Sequence, residues 1–359
     1  MRGLIFNGPD DVRVETVPDP SILTPGDALI RVTKAGICGT DLHICHHGPN
    51  FGISPGCRLG HEFVGVVEDV GADVRRVTRG DKVMSPFTVS CGQCHFCREE
   101  LYTSCKTGGV YGAGETFWRY EGPVQGGQSE YVRVPLADST LDRVPDGLAD
   151  EANDIRVLMF TDNFPTGYHA AVGADLHPGD VVLVIGDGAV GLLATHATSL
   201  FGPAALVLTG HHDDRLAIGE RLGATHVVNS KTGDPGALAG ELTDGRGPNV
   251  VIDCITSPES MRFACETVRP GGTVSWVGMG VFFGAPNIPW DLAWLRNLQL
   301  RGGMAPVRRY LRHLWPLLEQ GRIDPSAVVT DILPLEEAAT GYALMARRKA
   351  GSVKVAVSP

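Results

Sequence analysis

Long apolar runs are absent from the sequence. Its residues nowhere approach the roughly 18 consecutive apolar positions that a membrane-spanning helix needs. The opening residues, MRGLIFNGPDDVRVETVP, also lack a secretory signal, because they alternate like a strand and carry acidic side chains early. We therefore expect a cytoplasmic protein that has no membrane partner.

Basic residues are fewer than acidic residues. The chain has 31 lysines and arginines against 41 aspartates and glutamates, a formal net charge of -10. A nucleic-acid partner would need a basic face to meet its phosphates, so this charge favours a small-molecule substrate. The 359 residues exceed the roughly 250 to 300 at which a single core stops growing, so two domains are expected. The composition, 43% hydrophobic and 20% charged, is typical of a globular protein.

Four of the nine cysteines crowd into one segment, SCGQCHFCREELYTSCK. They are Cys91, Cys94, Cys97 and Cys105, spaced C-x2-C-x2-C-x7-C. In a reducing compartment, clustered cysteines bind a metal more often than they form disulfides. This spacing lets a lobe at about 91–105 place four thiolates tetrahedrally around one zinc ion. A closed four-sulfur site has no open position for substrate, so this zinc would be structural.

Other interpretations of the lobe stay open. The bacterial ferredoxin motif has three residues before its fourth cysteine and a proline after it, whereas this segment has seven residues and Lys106. An iron–sulfur cluster is therefore disfavoured, and unliganded thiols are a further alternative. A nucleic-acid-binding zinc ribbon is disfavoured by the acidic balance and by the lack of clustered basic residues on the lobe.

The residues of a second, open metal site come from separate glycine-rich bends. AGICGTDLH supplies Cys38, LGHEFVG supplies His61 and Glu62, and LMFTDNFPTGYHA offers Asp162. A thiolate, an imidazole and a carboxylate suit a catalytic zinc that keeps one coordination position open. Each residue alone also has an ordinary structural interpretation, as a small buried cysteine, a loop histidine or a helix N-cap.

Taken in order, these motifs resemble a known family. CGTDLH, GHEFVG, the four-cysteine lobe, GGQSEYVRVP, DNFPTGYHA and a glycine-rich nucleotide fingerprint are similar to those of the zinc-dependent medium-chain alcohol dehydrogenases along essentially the whole chain. The resemblance implies that Cys38, His61 and Asp162 bind the catalytic zinc; many members have a cysteine at the third place, but formaldehyde-dehydrogenase-like members have an aspartate. It also implies that Glu62 lies beside the metal and that Asp41 orients the zinc-bound histidine.

The same resemblance implies a proton relay. Zinc lowers the pKa of an alcohol and the nicotinamide takes a hydride from its carbon, but a proton must still leave the site. The relay maps onto Thr40, whose hydroxyl would touch the alcohol, and His43, which would pass the proton towards solvent by way of the cofactor ribose. The ordinary alternatives are a turn hydroxyl and a surface imidazole.

Pocket residues are also implied by the resemblance. Phe87 and Met279 correspond to residues that line the family's substrate pocket, and Thr166 to the residue that packs on the nicotinamide. The weaker pocket candidates are Phe117, Trp118 and Trp294, because aromatic residues more often belong to the core. An apolar pocket suits a medium-sized alcohol or aldehyde.

A dinucleotide fold is predicted from PGDVVLVIGDGAVGLLATHATSLFGPAALVLTG. An apolar strand at 181–185 leads into G-x-G-x-x-G, then a helix and a second apolar strand at 205–209. The glycines let the backbone approach a pyrophosphate at the helix N-terminus. The expected cofactor-binding residues here are Gly186, Gly188, Ala189, Val190 and Gly191. The later runs THVVNS, NVVIDCI, GTVSWVG and LQLRGG alternate with helical segments, which predicts a doubly wound sheet of six parallel strands.

The end of the second strand indicates which dinucleotide binds. NAD-specific sheets place a carboxylate there, whereas this chain has Gly210, followed by His211 and His212. The missing carboxylate favours NADP, with the two histidines and Arg215 as donors to its 2′-phosphate. A Gly210→Asp substitution is expected to reverse this preference.

Two other charged features bear on the cofactor. Asp213 and Asp214 are interpreted as helix N-caps and not as ribose ligands. By resemblance, Lys354 lies near the cofactor phosphates, with an ordinary charge on an edge strand as the alternative.

The predicted architecture has two domains with the active site in the cleft between them. Residues 1–160 and 299–359 form a GroES-like, β-rich catalytic domain, and residues 161–298 form a Rossmann dinucleotide-binding domain. The expected protein is an alcohol dehydrogenase that holds two zinc ions, uses NADP in preference to NAD, and forms a homodimer or homotetramer. The alternatives are a polyol or sugar dehydrogenase of the same superfamily, an NAD-dependent formaldehyde-dehydrogenase-like enzyme, and, disfavoured, a non-catalytic binding protein.

Overall fold

The structure is a computed structural model that describes residues 1–113, 125–282, 288–347 and 351–359. The chain forms two compact units. The first unit comprises Met1–Asp162 and Pro306–Pro359, and the second comprises Asn163–Ala305. Among the described residues, no helix has both the length and the apolar content needed to cross a membrane.

Strands and helices are numbered in chain order. The strands are β1 Arg2–Gly8, β2 Asp11–Thr16, β3 Ala28–Ile37, β4 Cys57–Arg58, β5 Phe63–Val70, β6 Lys82–Ser85, β7 Thr88–Val89, β8 Gly109–Val110, β9 Tyr131–Val134, β10 Asp142–Arg143, β11 Val181–Ile185, β12 Ala205–Gly210, β13 His226–Asn229, β14 Val250–Asp253, β15 Thr273–Trp276, β16 Gln299–Gly302, β17 Val329–Pro334 and β18 Lys354–Ser358. The α-helices are α1 Gly39–His47, α2 His95–Arg98, α3 Ala137–Thr140, α4 Asp154–Leu158, α5 Asn163–Gly173, α6 Ala189–Ser199, α7 Asp213–Arg221, α8 Pro235–Glu241, α9 Pro258–Thr267, α10 Trp290–Leu295, α11 Val307–Glu319 and α12 Ala338–Ala346.

The first unit is built mainly from antiparallel strands. Its largest sheet has the order β10-β6-β5-β3-β18-β17, and β9 also pairs with β3. A second sheet has the order β2-β1-β4, and β7 pairs with β8. The long central strand β3 is the scaffold of the site, because it ends directly before Cys38 while its neighbour β5 begins directly after Glu62. Two loops that leave adjacent strands at one end are thereby brought together.

The second unit confirms the predicted doubly wound sheet. Its six parallel strands have the order β13-β12-β11-β14-β15-β16. The chain begins at the central strand β11, adds β12 and β13 on one side, and then crosses over to add β14, β15 and β16 on the other. All five residues of β11 are buried, as expected of a parallel strand whose two faces are both covered. Leu183, Val207 and Val251 pack with residues of α9 in one apolar core.

The chain passes between the two units twice, and the second of these boundaries differs from the predicted one. Residues from 299 onward were predicted to belong to the catalytic domain, but Gln299–Gly302 is the strand β16 that pairs with β15 as the edge of the parallel sheet. The second unit therefore extends to Ala305.

Candidate active site

Four potential metal ligands meet inside the first unit. Cys38 is the N-cap of α1, His61 and Glu62 lie just before β5, and Asp162 follows α4. The Cys38 Sγ lies 3.8 Å from the Asp162 Oδ2, which is 3.4 Å from the His61 Nε2. The Glu62 Oε1 lies 4.0 Å from the same imidazole nitrogen. One donor atom from each of the four residues lies within 4.8 Å of the others, and all four side chains are buried.

This donor set fits zinc. Bonds of about 2.0 to 2.3 Å in tetrahedral geometry separate ligand atoms by roughly 3.3 to 3.8 Å, which matches the distances from the Asp162 carboxylate to Cys38 and His61. Thiolate, imidazole and carboxylate are the ligand types that zinc takes in proteins. Cys38, His61 and Asp162 would hold the ion, and Glu62 lies beside them.

A network of hydrogen bonds supports the donors. The Asp41 Oδ1 lies 3.2 Å from the His61 Nδ1, and its Oδ2 accepts from the Cys38 amide at 2.8 Å. The Gln128 Nε2 donates to the same Oδ2 at 3.1 Å, and the Tyr342 hydroxyl donates to the Gln128 Oε1 at 2.8 Å. Asp41 therefore lies against both the His61 ring and the Cys38 amide, and its expected role in orienting the imidazole stays a prediction. Gln128 and Tyr342 were not assigned roles from the sequence, although Gln128 lies in the GGQSEY motif.

Lys354 pairs with a carboxylate of the metal cluster. Its ammonium is fully buried and lies 2.5 Å from the Glu62 Oε2, and Nζ donates to Oε1 at 2.8 Å. The expectation that Lys354 lies near the cofactor phosphates stays a prediction; its described partner is Glu62, a carboxylate of the metal cluster. The physical reason for this pairing is that burial of Glu62 requires an opposite charge, and the inner strand β18 supplies it.

Burial and neighbouring charge shift the pKa values of the cluster. Burial raises the pKa of the Cys38 thiol, and the Glu62 charge adds to this effect. Burial opposes a charge on His61, but the Asp41 carboxylate and the bond to Asp162 outweigh it and raise the pKa of the imidazole. Zinc binds the thiolate and the neutral imidazole, so raised pKa values at Cys38 and His61 make metal binding at this cluster dependent on pH.

The other residues expected near the catalytic zinc lie in several places. Thr40 and His43 lie on α1, and both are half-buried. The Phe87 side chain is buried, and its ring centre lies 6.3 Å from that of His61 in an edge-to-face arrangement. Phe87 therefore forms part of the apolar surroundings of the cluster. Phe117 and Trp118 lie outside the described residues.

Three expected pocket or cofactor residues belong to the second unit. Thr166 is buried on α5, and the half-buried Met279 begins a 3₁₀ turn, Met279–Phe282. Trp294 is 80% exposed on α10, so in the described chain its indole covers no closed pocket.

The four cysteines of the lobe converge as predicted. The Cys97 Sγ lies 3.6 Å from the Cys94 Sγ and 4.0 Å from the Cys91 Sγ, and all four sulfurs lie within 4.8 Å of one another. The Cys105 sulfur accepts from the Cys91 amide at 3.2 Å. Backbone amides of Lys106 and Cys97 lower the pKa of Cys94 to about 6, which favours the thiolate that zinc requires. A four-sulfur zinc site fits this geometry.

The glycine-rich turn connects β11 to α6 as predicted. Gly186 has a φ of 117°, a conformation that glycine adopts without strain. Gly188 is the N-cap of α6, and within the described residues no side chain caps this helix. A side chain at Gly191 would overlap the carbonyl of Gly186. The first amides of α6 thus form a cradle that suits a pyrophosphate.

The end of β12 holds a carboxylate that the sequence analysis missed. Gly210 ends the strand as predicted, but a Cβ added there would overlap the side chain of Asp187, the middle residue of the turn G-D-G. Asp187 accepts hydrogen bonds from the backbone amides of His211 and His212. The expectation that no carboxylate lies at this position is therefore wrong. The pairing of an aspartate inside the fingerprint with a glycine at the strand end was its signal in the sequence.

The arrangement also corrects the proposed Gly210→Asp exchange, because the new side chain would collide with Asp187 before it could act on the cofactor. The interpretation of Asp213 and Asp214 as N-caps is corrected, because the N-cap of α7 is His212 and both aspartates lie inside the first turn of the helix. The Asp213 Oδ1 instead accepts from the Asn229 Nδ2 at 2.7 Å.

Comparisons with known proteins assign a class to this fold and site. Residues 24–146 match the family described as alcohol dehydrogenase GroES-like domain, and residues 189–320 match the family described as zinc-binding dehydrogenase. A relative in Mycobacterium tuberculosis, named as a probable zinc-binding alcohol dehydrogenase, is 37% identical over 363 residues that span 100% of this chain and 89% of the relative.

Solved structures similar to this chain belong to the same class of protein. The alcohol dehydrogenase TADH from Thermus sp. ATN1 superposes with a TM-score of 0.90 at 36% identity, covering 100% of this chain and 99% of that one. A structure from Sinorhizobium meliloti 1021, bound to NADP, has a TM-score of 0.84 at 26% identity and covers 100% and 99% of the two chains. The chain belongs to the zinc-dependent alcohol dehydrogenases of the medium-chain dehydrogenase/reductase superfamily.

Proposed function

We propose that this chain interconverts an alcohol and the corresponding aldehyde or ketone by hydride exchange with NADP(H). The observation that carries the proposal is the buried cluster of Cys38, His61 and Asp162, which has the ligand types and spacing of a catalytic zinc beside the additional carboxylate of Glu62. A second, four-cysteine site at Cys91, Cys94, Cys97 and Cys105 would hold a structural zinc.

The residues of the site have separate roles in the proposed reaction. A zinc ion in the cluster would act as a Lewis acid towards the oxygen of the alcohol or carbonyl compound. Asp41 holds the His61 ring in place. The Thr40 hydroxyl accepts the proton of the alcohol as it donates its own to the relay, and His43 passes a proton towards solvent by way of the cofactor ribose. The apolar ring of Phe87 beside His61 excludes water from that side of the cluster.

The preference for NADP is supported by the groups after β12. Gly210 carries no charged side chain, and it is followed by the exposed His211 and, a turn of helix later, by the buried cation Arg215. These groups suit the 2′-phosphate of NADP, and a structure similar to this chain binds NADP. In this proposal Thr166 and Met279 contribute to the nicotinamide site and the substrate pocket.

The first experiment is a substrate screen with the zinc-loaded protein. Primary and secondary alcohols, polyols and formaldehyde are each offered with NAD and with NADP, and the absorbance of the reduced nicotinamide is followed. We expect turnover of medium-sized alcohols, with NADP preferred. Preferential turnover of polyols, or of formaldehyde with NAD, would instead assign the chain to one of the two alternative activities.

A matched pair of histidine variants tests the site. His61→Ala should abolish turnover, whereas His313→Ala, which changes an exposed histidine of the same unit, should retain it. Wild-type protein that oxidises or reduces none of these compounds with either cofactor would contradict the proposal. So would a His61→Ala variant with wild-type activity.

Cytoplasmic location and assembly into a homodimer or homotetramer remain predictions. Size-exclusion chromatography with light scattering measures the second directly.

A further inference from the structure

Asp187 connects the glycine-rich turn to the end of the second strand of the parallel sheet. Its side chain is buried, and its Oδ2 accepts hydrogen bonds from the His211 amide at 2.7 Å and the His212 amide at 2.9 Å. These two amides directly follow β12, the strand whose end meets the adenosine ribose in a dinucleotide-binding sheet. A carboxylate therefore stands at the ribose position although the strand itself ends in glycine.

The same carboxylate also binds a side chain of the following turn. The His212 Nδ1 lies 2.9 Å from the Asp187 Oδ2, and an ionised carboxylate only accepts hydrogen bonds, so Nδ1 must carry the hydrogen. In the neutral ring Nε2 is then an acceptor. An acceptor suits a ribose hydroxyl and does not suit a phosphate oxygen.

Arg215 partly balances the negative charge. Its NH1 lies 3.9 Å from the Asp187 Oδ1, too far for a hydrogen bond but close enough for electrostatic attraction, and both side chains are buried. The two carboxylates of the first turn of α7, Asp213 and Asp214, are both exposed, and Asp213 is bonded to Asn229. Asp187 is therefore the buried negative charge of this turn.

The glycine at position 210 makes room for the side chain of Asp187. A Cβ at Gly210 would overlap the Cβ, Cγ and Oδ2 of Asp187, so only glycine leaves room for the carboxylate. The carboxylate that other dinucleotide-binding sheets place at the end of the second strand is here supplied by the glycine-rich turn.

We propose that Asp187 is a specificity-determining residue that limits the preference for NADP. Its charge repels a 2′-phosphate, and its bond to His212 leaves that ring better suited to the ribose hydroxyls of NAD. The inference rests on the proposed use of a nicotinamide dinucleotide, but it holds whichever of the two cofactors the wild-type enzyme prefers.

The test compares Asp187→Asn with a matched control, Asp213→Asn. Asparagine keeps the shape and an oxygen acceptor for the two amides but removes the charge. The control removes a charge from the start of α7, the helix that follows β12, at an exposed site. For each zinc-loaded protein, kcat/KM is measured for NADP and for NAD with one alcohol.

We expect the ratio of the NADP value to the NAD value to rise by roughly tenfold or more in Asp187→Asn, as the loss of a like charge beside a phosphate predicts. In Asp213→Asn the ratio should change by less than about threefold, because an exposed charge is screened. An unchanged ratio in Asp187→Asn, or an equal loss with both cofactors, would assign Asp187 a purely structural role and overturn the inference. A wild-type preference for NAD would contradict only the proposed NADP preference.

A binding measurement gives a readout that does not depend on turnover. The affinities of adenosine 2′,5′-bisphosphate and of AMP are measured by calorimetry, and Asp187→Asn should strengthen binding of the bisphosphate relative to AMP. If Asp187→Asn does not fold, Asp187→Ser, which retains a short acceptor without charge, must shift both ratios in the same direction. Absence of that shift would equally refute the proposal.

Discussion

At the scale of single residues, Asp41 is the link between the metal cluster and the rest of its unit. One carboxylate oxygen faces the His61 ring, and the other accepts from the Cys38 amide and from Gln128. A change at Asp41 therefore acts on two ligands at once.

We predict that Asp41→Asn weakens zinc binding at this cluster by about 10- to 100-fold, because the amide holds the imidazole less firmly and makes it less basic. Competition with a chelator measures the affinity, and Asp73→Asn, an exposed aspartate of the same unit, is the control. Equal affinities in the wild type and in Asp41→Asn would show that Asp41 does not support the ligand.

Glu62 and Lys354 form a buried ion pair, and both side chains are almost completely shielded from solvent. We predict that Lys354→Met lowers the free energy of unfolding by about 3 to 5 kcal/mol, because it leaves the carboxylate buried without its counter-charge. Denaturant unfolding gives the value. The double variant Glu62→Gln/Lys354→Met should recover most of the loss, and a double variant that is no more stable than the single one would contradict this explanation.

The sequence led to some of these residues and not to others. Cys38, His61 and Asp162 could be proposed because metal ligands have restricted chemistry and lay in recognisable bends. The partner of Lys354 and the position of Asp187 could not, because each depends on which distant segment packs against it. Glu62 is 292 positions from Lys354, and Asp187 reaches amides 24 and 25 positions away.

At the scale of elements, the cysteine lobe should act independently of the catalytic cluster. Cys97 is buried, and its sulfur lies within 4.8 Å of the other three. We predict that Cys97→Ser removes one zinc per chain and lowers Tm by on the order of 10 °C, because binding of a structural zinc contributes directly to folding.

Calorimetry and elemental analysis measure the two effects. Cys57→Ser is the control, since Cys57 is half-buried on β4 and belongs to neither metal cluster. A Cys97→Ser variant that retains the wild-type Tm and zinc content would show that the lobe is not a zinc site.

The strands of the parallel sheet were predictable because they are continuous apolar runs between helical segments. The structure shortens several of them by one or two residues at their ends; the predicted strand at 249–255, for example, is observed as Val250–Asp253. The extra residues turn out of the sheet, where Ile255 and Thr256 donate their amides to Asp253. Such capping by a side chain is not visible in an apolar pattern.

At the scale of the whole molecule, the class of protein followed from the order of the motifs along the chain. The limit of the second unit did not, because β16 is a short edge strand with three exposed residues out of four, and its sequence would suit either unit. Only its pairing with β15 assigns it to the parallel sheet.

The zinc content of the wild type and of Asp162→Ala tests the central claim most directly. Elemental analysis should find two zinc ions per chain in the wild type. It should find one in Asp162→Ala, which should lose alcohol-dependent turnover while the four-cysteine lobe keeps its zinc. A wild type that contains only one zinc ion, or iron in place of zinc, would contradict the account. An Asp162→Ala variant that keeps two zinc ions and full turnover would contradict it as well.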